Sequence, residues 1–316
     1  MRHLSRVFGF ATAGLIGSLI AAQALGADSP RTAEGRPDLS GFYDVATLTP
    51  LQRPEVYGDK LLLTREEANK IEEAERARMA AAGQNSNPAR EAPPDGGDGS
   101  PGAGGNVGGY NAFWIDRGDD TFSIDGKFRT SIIVDPSNGR MPAMTPAAQA
   151  RSIARRASRR ANSGEAWWLQ DGHTRPGPYD DPELRPLGER CLLGFGSTAG
   201  PPMLPVLYNN LKRIVQTPEY IMILVEMNHD ARIIRLNSEH APADERKWLG
   251  DSIGWWEGDT LVVDTTNLRV QTGRRGVSEN RHVVERFART VGDSLLYSFT
   301  VEDPAIWTAS WSGEYP

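Results

Sequence analysis

The sequence predicts a mainly β fold: an antiparallel meander closing into a barrel, lipocalin-like in architecture, with two peripheral helices and a long glycine-rich loop. Three observations carry this. Segments 211–217, 220–227, 232–236, 252–256, 260–266, 281–290 and 294–302 read as successive strands. Turn signals part them, including Glu257-Gly258-Asp259 and Val291-Gly292-Asp293. Leu295, Tyr297, Phe299 and Val301 recur with period two, the pattern of a strand with one buried face. Many short strands at this spacing suit a barrel or sandwich. Strands alternating with helices are absent, which argues against a parallel doubly wound sheet.

Each earlier element has a local reason. Arg2, His3 and Arg6 precede an uncharged apolar run, Val7–Ala22, and small residues follow it. This is the layout of a secretory signal peptide over residues 1–27, too short and too glycine-interrupted for a spanning helix. A single β-rich domain over 28–316 is then expected in a periplasm or outside a cell, with no membrane span after cleavage. Gly41–Leu48 is a strand candidate among prolines. Thr64-Arg65-Glu66-Glu67 is a capping box that starts a surface helix running to about Ala82. Residues 83–109, rich in Gly, Pro, Asn and Asp, have little to bury and read as a mobile loop. Asp125-Gly126 is a two-residue hairpin turn between Thr121–Ile124 and Lys127–Val134. Thr145-Pro146 caps and opens a second helix with a basic, solvated face.

Composition narrows the function classes. The net charge is −6, and loss of Arg2 and Arg6 makes the mature chain more acidic still. Non-specific nucleic-acid binding needs the opposite balance. Cys191 is the single cysteine, so no internal disulfide forms, and a buried thiol is expected because no Cys-His signature surrounds it. Phosphate-loop, zinc-protease and nucleophile-elbow motifs are absent, so no cofactor is expected. His229, His240 and His282 lie in separate segments without metal-ligand spacing. Nothing in the chain fixes an oligomeric state.

Several segments resemble a widespread family of secreted bacterial proteins of unknown function. They include Arg31-Thr32-Ala33-Glu34-Gly35-Arg36-Pro37-Asp38-Leu39-Ser40-Gly41, Tyr208-Asn209-Asn210 and Ile214-Val215-Gln216-Thr217-Pro218. Glu226-Met227-Asn228-His229-Asp230 and Trp256-Glu257-Gly258-Asp259-Thr260-Leu261-Val262-Val263 belong to the same set. The resemblance spans nearly the whole mature chain and implies no particular reaction. Family members continue past the position of Pro316 into another strand bearing Tyr-x-Cys-His-Glu-Gly-Asn. This departure leaves open whether the chain is a fragment, and it implies an unpaired edge near Trp307–Trp311.

The strongest catalytic candidates are Glu226, His229, Asp230 and Arg232, at the exit of the most hydrophobic strand. Glutamate or histidine could move a proton and arginine could hold an anion. Alternation sets Glu226 with Met222 and Leu224, facing a cavity or pairing with Arg232. A structural turn is the competing reading of this segment. Candidate ligand-binding residues are Tyr110, Trp114, Asn209, Asn210, Trp255 and Trp256. In a regular strand one of the two adjacent tryptophans faces in and the other out. These readings together suggest a secreted or periplasmic small-molecule-binding β protein. Proton-transfer chemistry of the isomerase, lyase or hydratase type on an apolar or aromatic substrate is one expectation. A non-catalytic carrier and an envelope structural protein are the alternatives.

Overall fold

The alternation of the last third builds one large sheet. The computed structural model describes residues 30–82, 89, 115–157, 166–169, 172, 180–194, 199–270, 276–290 and 292–316. The first strands are β1 (Gly41–Asp44), β2 (Leu62–Leu63), β3 (Ser123–Ile124), β4 (Lys127–Arg129) and β5 (Ile133–Asp135). Then follow β6 (Leu211–Gln216), β7 (Tyr220–Val225), β8 (Ala231–Leu236), β9 (Asp251–Glu257) and β10 (Thr260–Thr266). The last are β11 (His282–Arg289), β12 (Leu295–Glu302) and β13 (Trp311–Tyr315). Ten of these form a mixed sheet in the order β1-β6-β7-β8-β9-β10-β11-β12-β13-β5, and β2-β4-β3 form a small second sheet.

Among the described residues the expected barrel does not form, because no sheet closes. β1 and β5 are the two edges of the large sheet and do not pair with each other. No described strand pairs with the outer side of either edge. Ile132 and Ile133 donate backbone bonds to the carbonyls of Pro50 and Leu51, but no ladder continues from there. Pro50 and Pro54 lack the N–H a ladder needs, and Pro136 ends β5 after three residues. The meander is also broken once: β8 and β9 pair in parallel. Residues 237–250 supply the long crossover that such a pair requires. The edge expected near Trp307–Trp311 is occupied, since β5 pairs with β13.

The sheet curls even though it stays open. Arg232 of β8 and Glu285 of β11 are in direct contact, yet β9 and β10 lie between their strands. Three strand spacings amount to roughly 14 Å on a flat sheet, too far for such a pair. The inward face therefore wraps a core of Ile214, Ile223, Ile234, Val263, Phe287, Tyr297, Phe299 and Tyr315. The segment Ala199–Leu204 and Ile306–Trp307 fill it from the chain side.

Local signals set the periphery. α1 (Arg65–Ala82) begins at the capping box: Glu67 N–H donates to Thr64 Oγ1 at 3.2 Å, and Thr64 N–H to Glu67 Oε2 at 2.8 Å. Ala68 and Ile71 of this helix pack on Leu63 and Phe128 of the small sheet. α2 (Pro146–Ala157) begins with Thr145 Oγ1 accepting from Ala148 N–H at 3.2 Å. Asp125-Gly126, both at positive φ, turns β3 into β4. The strand expected over 127–134 instead splits between the two sheets. Thr130 Oγ1 donates to the Lys60 and Leu61 carbonyls and Ser131 Oγ to the Ile133 carbonyl, replacing ladder bonds at the break. Cys191, expected to be buried, is exposed and free, because it lies in a turn outside the sheet. No helix among the described residues is long and apolar enough to cross a membrane. The signal segment 1–27 lies outside the described residues, as does nearly all of the loop 83–109.

Candidate functional site

Besides Arg289, which donates to the Asp38 carbonyl at 2.8 Å, the inward face carries three charged side chains that an apolar interior would ordinarily exclude: Lys212, Arg232 and Glu285. Two of them answer each other. Arg232 and Glu285 make a two-bonded pair at 2.8 and 2.9 Å, and the Tyr297 hydroxyl donates to Glu285 Oε1 at 2.6 Å. Tyr297 Oη accepts from Met203 N–H at 2.9 Å, and the Tyr315 hydroxyl donates to the Met203 carbonyl at 3.1 Å. This network ties β8, β11, β12 and β13 to the segment that fills the core. Burial and the neighbouring Glu285 push the Tyr297 phenol well above its ordinary pKa, so it stays a proton donor.

The third charge is not answered. Lys212 is 1 % exposed, and its Nζ has no hydrogen-bond partner among the described residues. Its position follows from β6, where Lys212 and Ile214 alternate inward against outward-facing Leu211 and Arg213. Burial pulls its pKa down to about 8, partly offset by Asp44, Glu226 and Asp230.

Lys212 lines a cavity of about 180 Å³. The other walls include Tyr43, Met203, Ile214, Phe287, Leu295, Tyr297 and Tyr315, and Asp44, Asp293 and Ser294 also contribute. The site thus combines aromatic and aliphatic walls with one buried lysine, two carboxylates and a hydroxyl. A dry cavity of ~150 Å³ admits benzene, so a single-ring molecule fits this volume. The phenols are already engaged: Tyr43 with the Leu39 carbonyl at 3.0 Å, Tyr297 with Glu285, and Tyr315 with Met203. That leaves the Lys212 side chain, with Asp44, Asp293 and Ser294 at the same cavity, to meet a ligand's polar groups.

The residues anticipated from sequence are not gathered here. Glu226 lies just past the end of β7 and is exposed, because Met222 and Leu224 face outward while Ile221, Ile223 and Val225 face in. Glu226 accepts from Leu211 N–H at 3.4 Å, and the partner expected for it, Arg232, belongs to Glu285. His229 sits at positive φ in the turn. Asp230 accepts from Gly194 N–H at 2.7 Å, and burial raises its pKa. Glu226 and Asp230 act on the cavity only as charges near Lys212. Asn209 is at positive φ; Asn210 is buried and bonded to Val206 and the Asp116 carbonyl, which makes this pair a structural turn. Trp256 packs on the core and Trp255 Nε1 donates to Glu257 at 3.2 Å, so the two rings take opposite faces. Neither ring lines the cavity. Tyr110 and Trp114 lie outside the described residues.

A second polar cluster lies apart from the cavity. His240 bridges Asp251 at 3.1 Å and Asp264 at 2.9 Å, and His282 meets the other Asp264 oxygen at 2.7 Å. The Ala241 N–H, His240, Lys247 and Arg235 outweigh the burial of Asp251 and hold its pKa at about 2. Among the described residues, no group of three or more potential ligands is placed to hold a metal ion.

Comparison with known proteins found no matching family model, no similar curated protein and no similar solved structure. The cavity is therefore read from its own chemistry.

Sequence reasoning missed Lys212, Glu285 and Tyr315. A signal was present: Lys212 precedes Ile214, and Glu285 stands between Val283 and Phe287, at positions that alternation assigns to the apolar face.

Proposed function

We propose that the protein binds a small molecule of about one ring in the cavity beside Lys212. The ligand would be aromatic or branched apolar and would carry one oxygen acceptor, a carboxylate or a carbonyl, directed at the amine. The observation that carries this reading is a fully buried lysine, its amine without a partner among the described residues, whose side chain lines a mostly aromatic and aliphatic cavity. Leaving such a group unpaired is costly, and a ligand acceptor removes the cost. Apolar walls with very few polar groups are the usual composition of small-molecule sites. The signal-like segment 1–27 supports export to a periplasm or the exterior, and the resemblance to the secreted bacterial family belongs to the same proposal. If the protein also moves protons, Lys212 is the group placed to do it.

Calorimetric titration with benzoate tests the reading. The wild type should bind, Lys212→Met should weaken binding at least ~10-fold by removing the charged partner, and Ile214→Trp should block it by filling the cavity. Binding that survives both substitutions, or no binding by the wild type, overturns the proposal.

A further inference from the structure

The unpartnered amine points to a reaction as well as a contact. We propose that Lys212 captures small aldehydes, aromatic ones above all, as a reversible imine inside the cavity. This rests on the cavity being a ligand site, as argued above, and adds the chemical class of the ligand.

Three features of the site favour it. The amine is a nucleophile only when neutral, and burial supplies that form: a pKa of about 8 in place of 10.5 gives roughly 300-fold more neutral amine at pH 7. Desolvation of a lysine in an apolar pocket is a recognised way to activate it for imine formation. The second feature is orientation. No hydrogen bond among the described residues holds Nζ back, and Phe287, Tyr297 and Leu295 offer walls for a ring. The third is charge. Asp44, Glu226 and Asp230 lie near enough to favour a cation at Nζ, whether ammonium or the protonated imine.

The step balances without a further reactant. The neutral Nζ lone pair attacks the carbonyl carbon, the C=O π bond opens, and a proton passes from nitrogen to oxygen, giving a carbinolamine. The hydroxyl then leaves with the remaining nitrogen proton as water while the C=N bond forms. Amine and aldehyde give imine and water, and nothing is oxidised or reduced. Apolar walls favour the direction in which water leaves.

The sequence contains five lysines, and the other four serve as internal controls. Lys60 pairs with Glu67, Lys70 with Glu66 and Lys247 with Asp251, while Lys127 is exposed. Purified full-length protein is incubated with benzaldehyde and sodium cyanoborohydride, alongside Nα-acetyl-lysine as a reference amine, and labelled peptides are mapped by mass spectrometry. Binding of benzyl alcohol, which has the ring but no carbonyl, is measured separately by calorimetry. Among the lysines the expected result is a benzyl group on Lys212 alone, suppressed by excess benzyl alcohol and absent in Lys212→Arg; the N-terminal amine, with an ordinary pKa of about 8, is labelled in both proteins. The ratio of Lys212 to reference labelling should fall as pH rises from about 7 to about 10, because the reference goes on losing protons after Lys212 is neutral. Labelling spread over the other lysines with Lys212 unmodified overturns the imine. If benzyl alcohol still binds in that case, the cavity remains a ligand site; if it does not, both readings fail together. The mapping uses wild-type protein, so it decides the question even if Lys212→Arg does not fold.

Discussion

Replacing Lys212 by Met should stabilise the protein at neutral pH, and the gain should disappear in alkali. The lysine is buried without a partner, and folding moves its pKa from 10.5 to about 8. At ~1.4 kcal/mol per tenfold, holding the charged form in the fold costs ~3 kcal/mol. The unfolded chain therefore binds this proton more tightly, and wild-type stability rises with pH between about 8 and 10.5. Methionine is an unbranched side chain one heavy atom shorter and carries no charge. At pH 7, Lys212→Met should exceed the wild type by ~3 kcal/mol, or roughly 6 °C in Tm for a chain of this size. By about pH 10 the difference should shrink towards zero, apart from a residual packing term. Urea unfolding of both proteins from pH 6 to pH 10 measures this directly, and taking the difference cancels the titration of all shared groups. A difference that does not change with pH would refute the reasoning, as would a less stable Lys212→Met at pH 7. The first outcome would mean that Lys212 is solvated in the fold; the second, that a partner holds it.

The buried Arg232–Glu285 pair makes the opposite prediction. Glu285→Gln should destabilise by ~3–5 kcal/mol in chemical denaturation, because it leaves a buried guanidinium uncompensated. Adding Arg232→Met should restore much of the loss, and a single-variant cost under ~1 kcal/mol would contradict this. For the surface cluster, contact with Asp264 raises the pKa of His282 above 6.5. The stability from this contact is present in full below pH 6.5 and is lost as pH rises through the folded-state pKa. An NMR titration should place His282 above 6.5 in the wild type and nearer to it in Asp264→Asn; a value below 6.5 in the wild type would disprove the link.

What the chain shows on inspection is governed by neighbours in sequence. The Thr64–Glu67 box and the Thr145 cap lie within one helical turn, and Asp125-Gly126 lies within one hairpin, so local hydrogen bonding decides them. The strands of the last third are legible for the same reason, since alternation is a property of adjacent residues. Glu226 and Arg232 looked like partners because six positions separate them in sequence. The inward direction of Arg232 instead delivered it to Glu285, across two intervening strands.

The sequence by itself determined that β strands dominate, where the two helices begin, and which residues share a face of each strand. Only the tertiary structure decided that the sheet stays open, that one strand pair runs parallel, and which face becomes the interior. Those choices depend on how ten strands curl together and on prolines that stop a ladder, not on any local pattern. The candidate site belongs wholly to the second group. Lys212, Phe287, Tyr297 and Tyr315 come from four strands, and they surround one cavity only because the curl of the sheet turns their shared face inward.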